Sequence, residues 1–203
     1  MNMGTQRTRR SQAERREETR LKLLQATVSC LDEFGIAGIR IADVVARAEC
    51  TTGAIQYLFG SREELIVATI EYLFDKNRRN YDVLKRTGTL DERLFKLTDL
   101  RIRRMQTGYR AYVELMSYSR TKTPLGEKLR VTLRATSQRH EEWFLWYLED
   151  LNLDRERVIA AKDLLASSYY GQVLFDMYKN DRKHFRKMQR LMIELVSAYL
   201  TKE

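Results

Sequence analysis

Proline occurs once in the 203 residues, at Pro124, and glycine nine times. That scarcity disfavours an all-β fold assembled from Gly/Pro turns and favours long helices. Cysteine occurs twice, at Cys30 and Cys50, too few for a disulfide framework and matching no metal-ligand spacing. The two histidines, His140 and His184, have no companions at ligand spacing, and no Ser/His/Asp set, phosphate loop or zinc pattern is evident. The sequence therefore predicts no catalytic residues, no metal and no cofactor. No stretch approaches the ~18–20 uncharged apolar residues of a membrane span. The opening Met1-Asn2-Met3-Gly4-Thr5-Gln6-Arg7 runs into charge without the apolar segment of a secretory leader. A reduced, cytoplasmic protein with no membrane partner is the expectation.

What is present is apolar content and positive charge. Hydrophobic residues make up 43% of the chain and charged residues 32%, enough for a real core under a solvated surface; the net charge is +9. A sequence pI near 9.6 makes polyanions plausible partners.

Residues 1–18 read as a basic arm that becomes helical: Arg7, Arg9, Arg10, Arg15, Arg16 and, just beyond, Arg20 outnumber Glu14, Glu17 and Glu18. Such a run is either a solvated tail or a nucleic-acid arm. A helical stripe follows, Leu21, Leu24, Val28 and Leu31, ending near Phe34-Gly35. Ile41, Val44, Val45 and Ala48 then predict a short second helix, Glu49-Cys50 a turn, and Thr51 or Thr52 the cap of a third. In that third helix Ile55, Leu58 and Phe59 form one face; Thr52, Gly53, Gln56 and Tyr57 form the other. A helix this short gains little stability alone and must be held by packing. Its outer face carries side chains suited to groove and backbone contacts rather than a row of Lys and Glu. Gly60 ends it, and Ser61-Arg62-Glu63-Glu64 is a capping box that opens a fourth helix. Helix, short helix, tight turn, short helix is the helix-turn-helix layout.

The stretches Ile41-Ala42-Asp43-Val44-Val45-Ala46-Arg47-Ala48, Thr51-Thr52-Gly53-Ala54-Ile55-Gln56-Tyr57-Leu58-Phe59 and Ser61-Arg62-Glu63-Glu64-Leu65 resemble the DNA-binding domain of the tetracycline-repressor (TetR) family of bacterial regulators. The resemblance runs from Thr19 to Phe74. The chain departs from the family pattern at three places: Ile39-Arg40 where Ser or Thr commonly caps the second helix, Glu49 where glycine is usual in the turn, and Gln56 where an aromatic is frequent. Glutamate tolerates a positive φ poorly, which bears on the turn. Cys50 stands where the family usually has a small aliphatic residue.

A recognition helix in the major groove uses phosphate contacts for register and base-edge contacts for specificity. Gln56 can pair bidentately with adenine, and the Thr51 and Thr52 hydroxyls lie at the helix start within reach of a base or phosphate. Gly53 lets the backbone approach DNA closely. Tyr57 and Arg62 offer a hydroxyl and a cation to phosphate, and Arg40 is a further candidate; the resemblance implies DNA contacts at the positions of Thr52, Tyr57 and Arg62. The competing roles are structural: a capping threonine, a partly buried tyrosine, a solvated arginine.

Beyond Ser61 the pattern is helix after helix, broken near 86–89, 106–108, 122–124 and 152–154. Leu129, Leu133, Thr136, His140, Trp143 and Tyr147 line one predicted face. On another predicted helix Phe95, Thr98, Ile102 and Met105 make an apolar stripe with Arg101 and Arg104 beside it. Aromatic residues and methionines are concentrated here; most belong in a core, though such a bundle can also enclose an apolar pocket. The resemblance implies that pocket and a small-molecule effector, with Arg101, Met105, Tyr109, Tyr112, Met116, His140, Trp143 and Tyr169 as its neighbourhood. The last two helices, about 155–179 and 182–201, carry Phe185, Met188, Met192, Leu195 and Tyr199 as a stripe widened by Leu191 and Val196, more apolar surface than one face of a monomer needs. Pairing them across a two-fold axis predicts a homodimer, which doubles the base contacts on palindromic double-stranded DNA.

The sequence thus predicts an all-α chain of about nine helices: a basic arm at 1–18, a three-helix helix-turn-helix DNA-binding domain at 19–60, and a larger helical ligand-binding and dimerisation domain at 61–203. The expected function is that of a homodimeric transcriptional regulator, a repressor released from a palindromic operator by a small molecule. A ligand-dependent activator, a helical adaptor binding an acidic protein, and a helical-bundle enzyme are the alternatives.

Overall fold

The computed structural model describes residues 11–81, 83–104, 108–179 and 182–202, and within these every side chain except those of 77, 80, 101–104, 172–179 and 182. The described residues are all-α: α1 Gln12–Gly38, α2 Ile41–Ala48, α3 Thr52–Phe59, α4 Arg62–Tyr81, α5 Leu90–Arg104, α6 Tyr109–Tyr118, α7 Pro124–Leu148, a 3₁₀ turn Glu149–Leu151, α8 Arg155–Lys179 and α9 Arg182–Thr201. They fall into two compact units, residues 1–73 with 107–133, and residues 74–106 with 134–203.

The first unit is built on α1. This helix opens at Gln12 on a complete capping box: Ser11 Oγ accepts from Glu14 N at 3.2 Å and Glu14 Oε2 accepts from Ser11 N at 2.7 Å. The regular helix therefore reaches well into the stretch read as an arm. Its buried row, Leu23, Leu24, Val28 and Leu31, packs with Val44 and Ala48 of α2, Ile55 of α3, Leu65, Ile66, Ile70 and Leu73 of α4, Ala111 and Leu115 of α6, and Leu125 and Leu129 of α7. Near its end Gly35 leaves helical geometry (φ 65°, ψ 177°).

Two carboxylates tie α1 to α6. Asp32 accepts from Gly108 N at 2.9 Å and Ala111 N at 2.6 Å, where α6 has unsatisfied donors. In return, Glu114 of α6 accepts from Ile36 N at 3.3 Å, just past the break at Gly35. Gly108 itself has φ 89°, and a Cβ there would lie 2.7 Å from Leu73 Cδ2, so glycine is required on both counts.

The second unit buries Tyr81, Leu90, Leu94, Leu97, Phe144, Tyr147, Leu148, Val158, Ala161, Leu165, Ile193, Val196 and Leu200. In α5 the buried row is Leu90, Leu94 and Leu97, whereas Phe95 is 44% exposed. The stripe predicted through Phe95 and Thr98 is thus not the face α5 buries; two adjacent helical faces each carry apolar residues, and packing selects the leucine face. Arg93, 3% exposed, lies in this core. It donates to both carboxylate oxygens of Asp150 (2.7 and 2.6 Å) and to the carbonyls of Arg86, Gly88 and Tyr147 (2.9, 3.3 and 3.1 Å). Its charge is therefore paired and its donors are widely used, the condition under which a buried guanidinium is tolerated.

Candidate nucleic-acid interface

The turn between α2 and α3 sets the direction of the third helix. Glu49 ends α2 in the left-handed conformation (φ 53°, ψ 42°). Its N–H donates to Ala46 O at 3.3 Å and the N–H of Cys50 donates to Val45 O at 3.0 Å, the pair of bonds of a Schellman cap. The turn is the one a glycine would make, built with glutamate at a cost of roughly 1–2 kcal/mol for an L-residue there. Cys50 is half-buried and packs against the first core, and its Sγ donates to Ala48 O at 3.3 Å.

α3 is anchored by Ile55, with Ala54, Leu58 and Phe59 half-buried. Gly60 closes it at φ 83°, donating to Gln56 O and Ile55 O at 3.1 and 3.3 Å. Thr51 occupies the cap position by its backbone, but its hydroxyl makes no capping bond. Thr51, Thr52, Gly53, Gln56 and Tyr57 are all exposed, Tyr57 to 71%. Their side-chain polar atoms have no hydrogen bond within the protein among the described residues. A Cβ added at Gly53 would meet nothing closer than Thr51 Oγ1 at 3.8 Å. The protein's own packing thus gives no reason for a glycine there, nor any internal partner for the hydroxyls and the amide beside it.

The two arginines are placed differently. Arg40, at the α2 N-cap, makes a two-point ion pair with Asp43 (2.8 and 3.1 Å) and remains open to solvent. Arg62, at the start of α4, is half-buried and donates from Nη2 to Ile36 O and Ile39 O at 3.4 and 3.3 Å, with Glu63 at 3.9 Å. It braces the α1–α2 connection. Ser61 Oγ accepts from Glu64 N at 3.1 Å, one half of the expected capping box; the Glu64 carboxylate pairs instead with Lys128 of α7.

Two arginines of the basic run, which the sequence left open as a solvated tail or a nucleic-acid arm, lie beside this surface. Arg16 is stacked over the Tyr57 ring at 5.6 Å and Arg20 over the Phe59 ring at 5.6 Å. Exposed pairs of this kind contribute ~0.5–1 kcal/mol each. Their one-turn spacing, repeated against the two aromatics of α3, is the signal that could have found them.

The predicted ligand neighbourhood is divided. Tyr109 (buried), Tyr112 (half-buried) and Met116 (exposed) belong to the first unit, while His140, Trp143 and Tyr169 belong to the second. Met105 and the Arg101 side chain lie outside the described residues. In the second unit Trp143 is the centre of an aromatic stack, with Tyr81 at 4.7 Å, Tyr147 at 5.1 Å and His140 at 6.3 Å between ring centroids. Tyr169 makes an edge contact with Tyr170 at 6.0 Å. Burial pushes the Tyr147 phenol above its ordinary value, opposed by nearby Arg93. A separate open cleft of about 410 Å³ is lined by Glu142, Leu145, Trp146, Leu148, Glu149, Leu153, Arg155 and Val158; none of these was among the residues assigned to the ligand neighbourhood from sequence. Among the described residues no group of three His, Cys, Asp or Glu side chains is placed to hold a metal, and no helix is long and apolar enough to cross a membrane.

No protein-family profile matches the chain. It is 27% identical over 191 residues to the HTH-type transcriptional regulator CymR of Pseudomonas putida, covering 92% of this chain and 93% of that protein. A shorter match, 36% over 58 residues, links it to the HTH-type transcriptional regulator BetI of Paraburkholderia phytofirmans, spanning 29% of this chain and 30% of that one. Among solved structures, a TetR-family regulator from a Rhodococcus species superposes with a TM-score of 0.73 at 18% identity, over 91% of this chain and 100% of that one. Salmonella enterica GusR does so with 0.72 at 19%, over 90% and 95%. The multidrug binding protein EbrR, solved with imidazole, gives 0.66 at 17%, over 91% and 96%. Both curated relatives are HTH-type transcriptional regulators. The helix-turn-helix geometry and the all-α architecture are thus shared in fold with these solved structures, and the chain is similar to CymR along most of both lengths.

Proposed function

We propose that the chain acts in the cytoplasm as a homodimeric repressor that binds a palindromic operator and is released from it by a small molecule. The observation that carries the DNA-reading part is the outer face of α3. It presents exposed donors and acceptors with no internal partner, around a glycine whose missing side chain leaves open space. Gln56 and Thr52 read base edges, Thr51 and Tyr57 hold phosphates, and Gly53 lets the helix lie deep in the major groove. Arg40 exchanges its exposed pairing with Asp43 for a phosphate, at little cost because exposed pairs contribute ~0–1 kcal/mol. Arg62, half-buried, serves the backbone connection first and offers its remaining donors to the same phosphate.

Dimerisation is supported by apolar residues left outward on the last two helices: Leu164 on α8 and Leu191, Leu195 and Tyr199 on α9 are all exposed. Leu191, Leu195 and Tyr199 recur every four residues, one continuous stripe, while Ile193, Val196 and Leu200 face the core. Effector binding is supported by the aromatic stack around Trp143, with His140, Tyr81 and Tyr147. In the switch, the effector shifts α4, which contributes Leu65 to Leu73 to one core and Tyr81 to the other. The spacing of the paired α3 helices then changes, and differential affinity for the two states sets the response.

The test is binding of the purified protein to labelled DNA from upstream of its own gene, with and without excess random competitor. A competitor-resistant footprint centred on a palindrome and lost on Tyr57→Ala is the expected result. Equal binding to every sequence would overturn the reading.

A further inference from the structure

We propose that the first turns of α1 form a second DNA-contacting element, in which Arg16 places its guanidinium on a phosphate next to the one held by Tyr57. The inference rests on the operator-binding reading and adds to it a contact from outside the helix-turn-helix. Its basis is geometric. Arg16 and Arg20 are one turn apart, and each guanidinium lies 5.6 Å over an aromatic ring of α3. Tyr57, the ring beneath Arg16, is 71% exposed and so stays largely open to solvent with the guanidinium over it. Arg16 is therefore brought to the same surface as the reading residues.

The charges around it complete the argument. Among the described residues Arg16 has no carboxylate partner. The acids on its own helix are engaged elsewhere: Glu14 in the capping box, Glu17 at 4.0 Å from Arg20, and Glu18 at 3.4 Å from Lys22. A cation with no counter-charge, held against a ring rather than moving freely, suits a polyanion: the ring limits the conformations lost on binding, and neutralising a phosphate releases a counterion. The complementary surface is the sugar–phosphate backbone of duplex DNA.

The experiment compares the full-length wild type with Arg16→Gln, Arg16→Lys and a remote control, Arg134→Gln, which removes one exposed charge from α7. Operator affinity is followed by fluorescence anisotropy across salt. Arg16→Gln should weaken binding several-fold and flatten the slope of log K against log salt by about 0.9 per bound protomer. Arg16→Lys should retain the slope, and Arg134→Gln should leave both quantities unchanged. A wild-type slope for Arg16→Gln, or an equal loss from Arg134→Gln, would overturn the contact. A wild type lacking competitor-resistant binding would instead remove the operator reading, and this inference with it. Circular dichroism confirms folding of each variant, since residue 16 is exposed and outside both cores.

Discussion

Gly53→Ala separates what the fold needs from what DNA binding needs, because the two are expected to move in opposite directions. Gly53 is the second residue of α3, its backbone is helical, and an added Cβ would have Thr51 Oγ1 at 3.8 Å as its nearest neighbour. That is ordinary van der Waals contact, so the methyl introduces no clash within the protein. Glycine within a helix costs roughly 0.5–1 kcal/mol relative to alanine; near a helix end the lower part of that range applies. The substitution should therefore stabilise the protein by about 0.5 kcal/mol, raising Tm by about 1–2 °C for a chain of this size. In the proposed complex the same methyl stands where the helix backbone meets the groove, and overpacking of a close contact costs typically 1–3 kcal/mol. An affinity loss of at least about fivefold is expected, since ~1.4 kcal/mol corresponds to one decade. Calorimetry for the Tm and anisotropy on the operator for the affinity provide the assay. Unchanged affinity in a variant that is no less stable would refute the placement of Gly53 against DNA, and a marked loss of stability would refute the packing argument.

Three further outcomes follow from the geometry. Glu49→Gly relieves a left-handed glutamate and should raise stability by up to about 1 kcal/mol, less than the full strain because glycine also loosens the unfolded chain; a destabilised variant in thermal melts would show that the turn depends on the Glu49 side chain. Asp32→Ala removes the acceptor for two amide donors at the α6 N-terminus and should cost about 2 kcal/mol, a drop of about 4–8 °C in Tm, whereas an unchanged melt would mean that water replaces the carboxylate. Hydrogen bonds from Arg93, then its own backbone and Arg86, hold the Asp150 carboxyl well below its ordinary value near 3.8, although burial opposes them. Because the folded value is depressed, this contribution is complete above about pH 4 and is lost as pH falls further; Asp150→Asn should flatten the acid limb of the stability curve, and an unaltered limb would disprove the assignment.

Much of this architecture could be read from residue spacing, because it depends on local periodicity. Val44 with Ala48, and Ile55 with the Gly60 stop, define α2 and α3 in the sequence and in the structure. The breaks predicted near 122–124 and 152–154 fall between helices, and the last two helices span the predicted residues. What local spacing could not supply were partners distant in sequence. Asp32 and Gly108 are 76 residues apart, Arg93 and Asp150 57 apart, and nothing in either neighbourhood marks a charged residue as a clamp. Phe95 shows the other limit: where two faces of α5 are apolar, only packing decides which is buried. The Ser11–Glu14 box is a local signal that was legible but masked by the surrounding charge. On α3 the sequence identified an exposed polar face, but not that Arg16 and Arg20 would stack beside it.

The first core draws on residues far apart in the chain, and this bears on recombination between relatives. A graft of the helix-turn-helix segment cut after Gly60 would leave behind Leu65, Ile66, Ile70 and Leu73, and also Ala111, Leu115, Leu125 and Leu129. Exchange of operator specificity is therefore expected to succeed through point changes on the outer face of α3, which touch no core residue. Transplanting the N-terminal segment whole would instead place Leu24, Val28 and Leu31 against side chains they did not evolve with. On the proposed operator reading, new operators are within reach of a few substitutions, while the helix-turn-helix is inherited together with the helices that cover it.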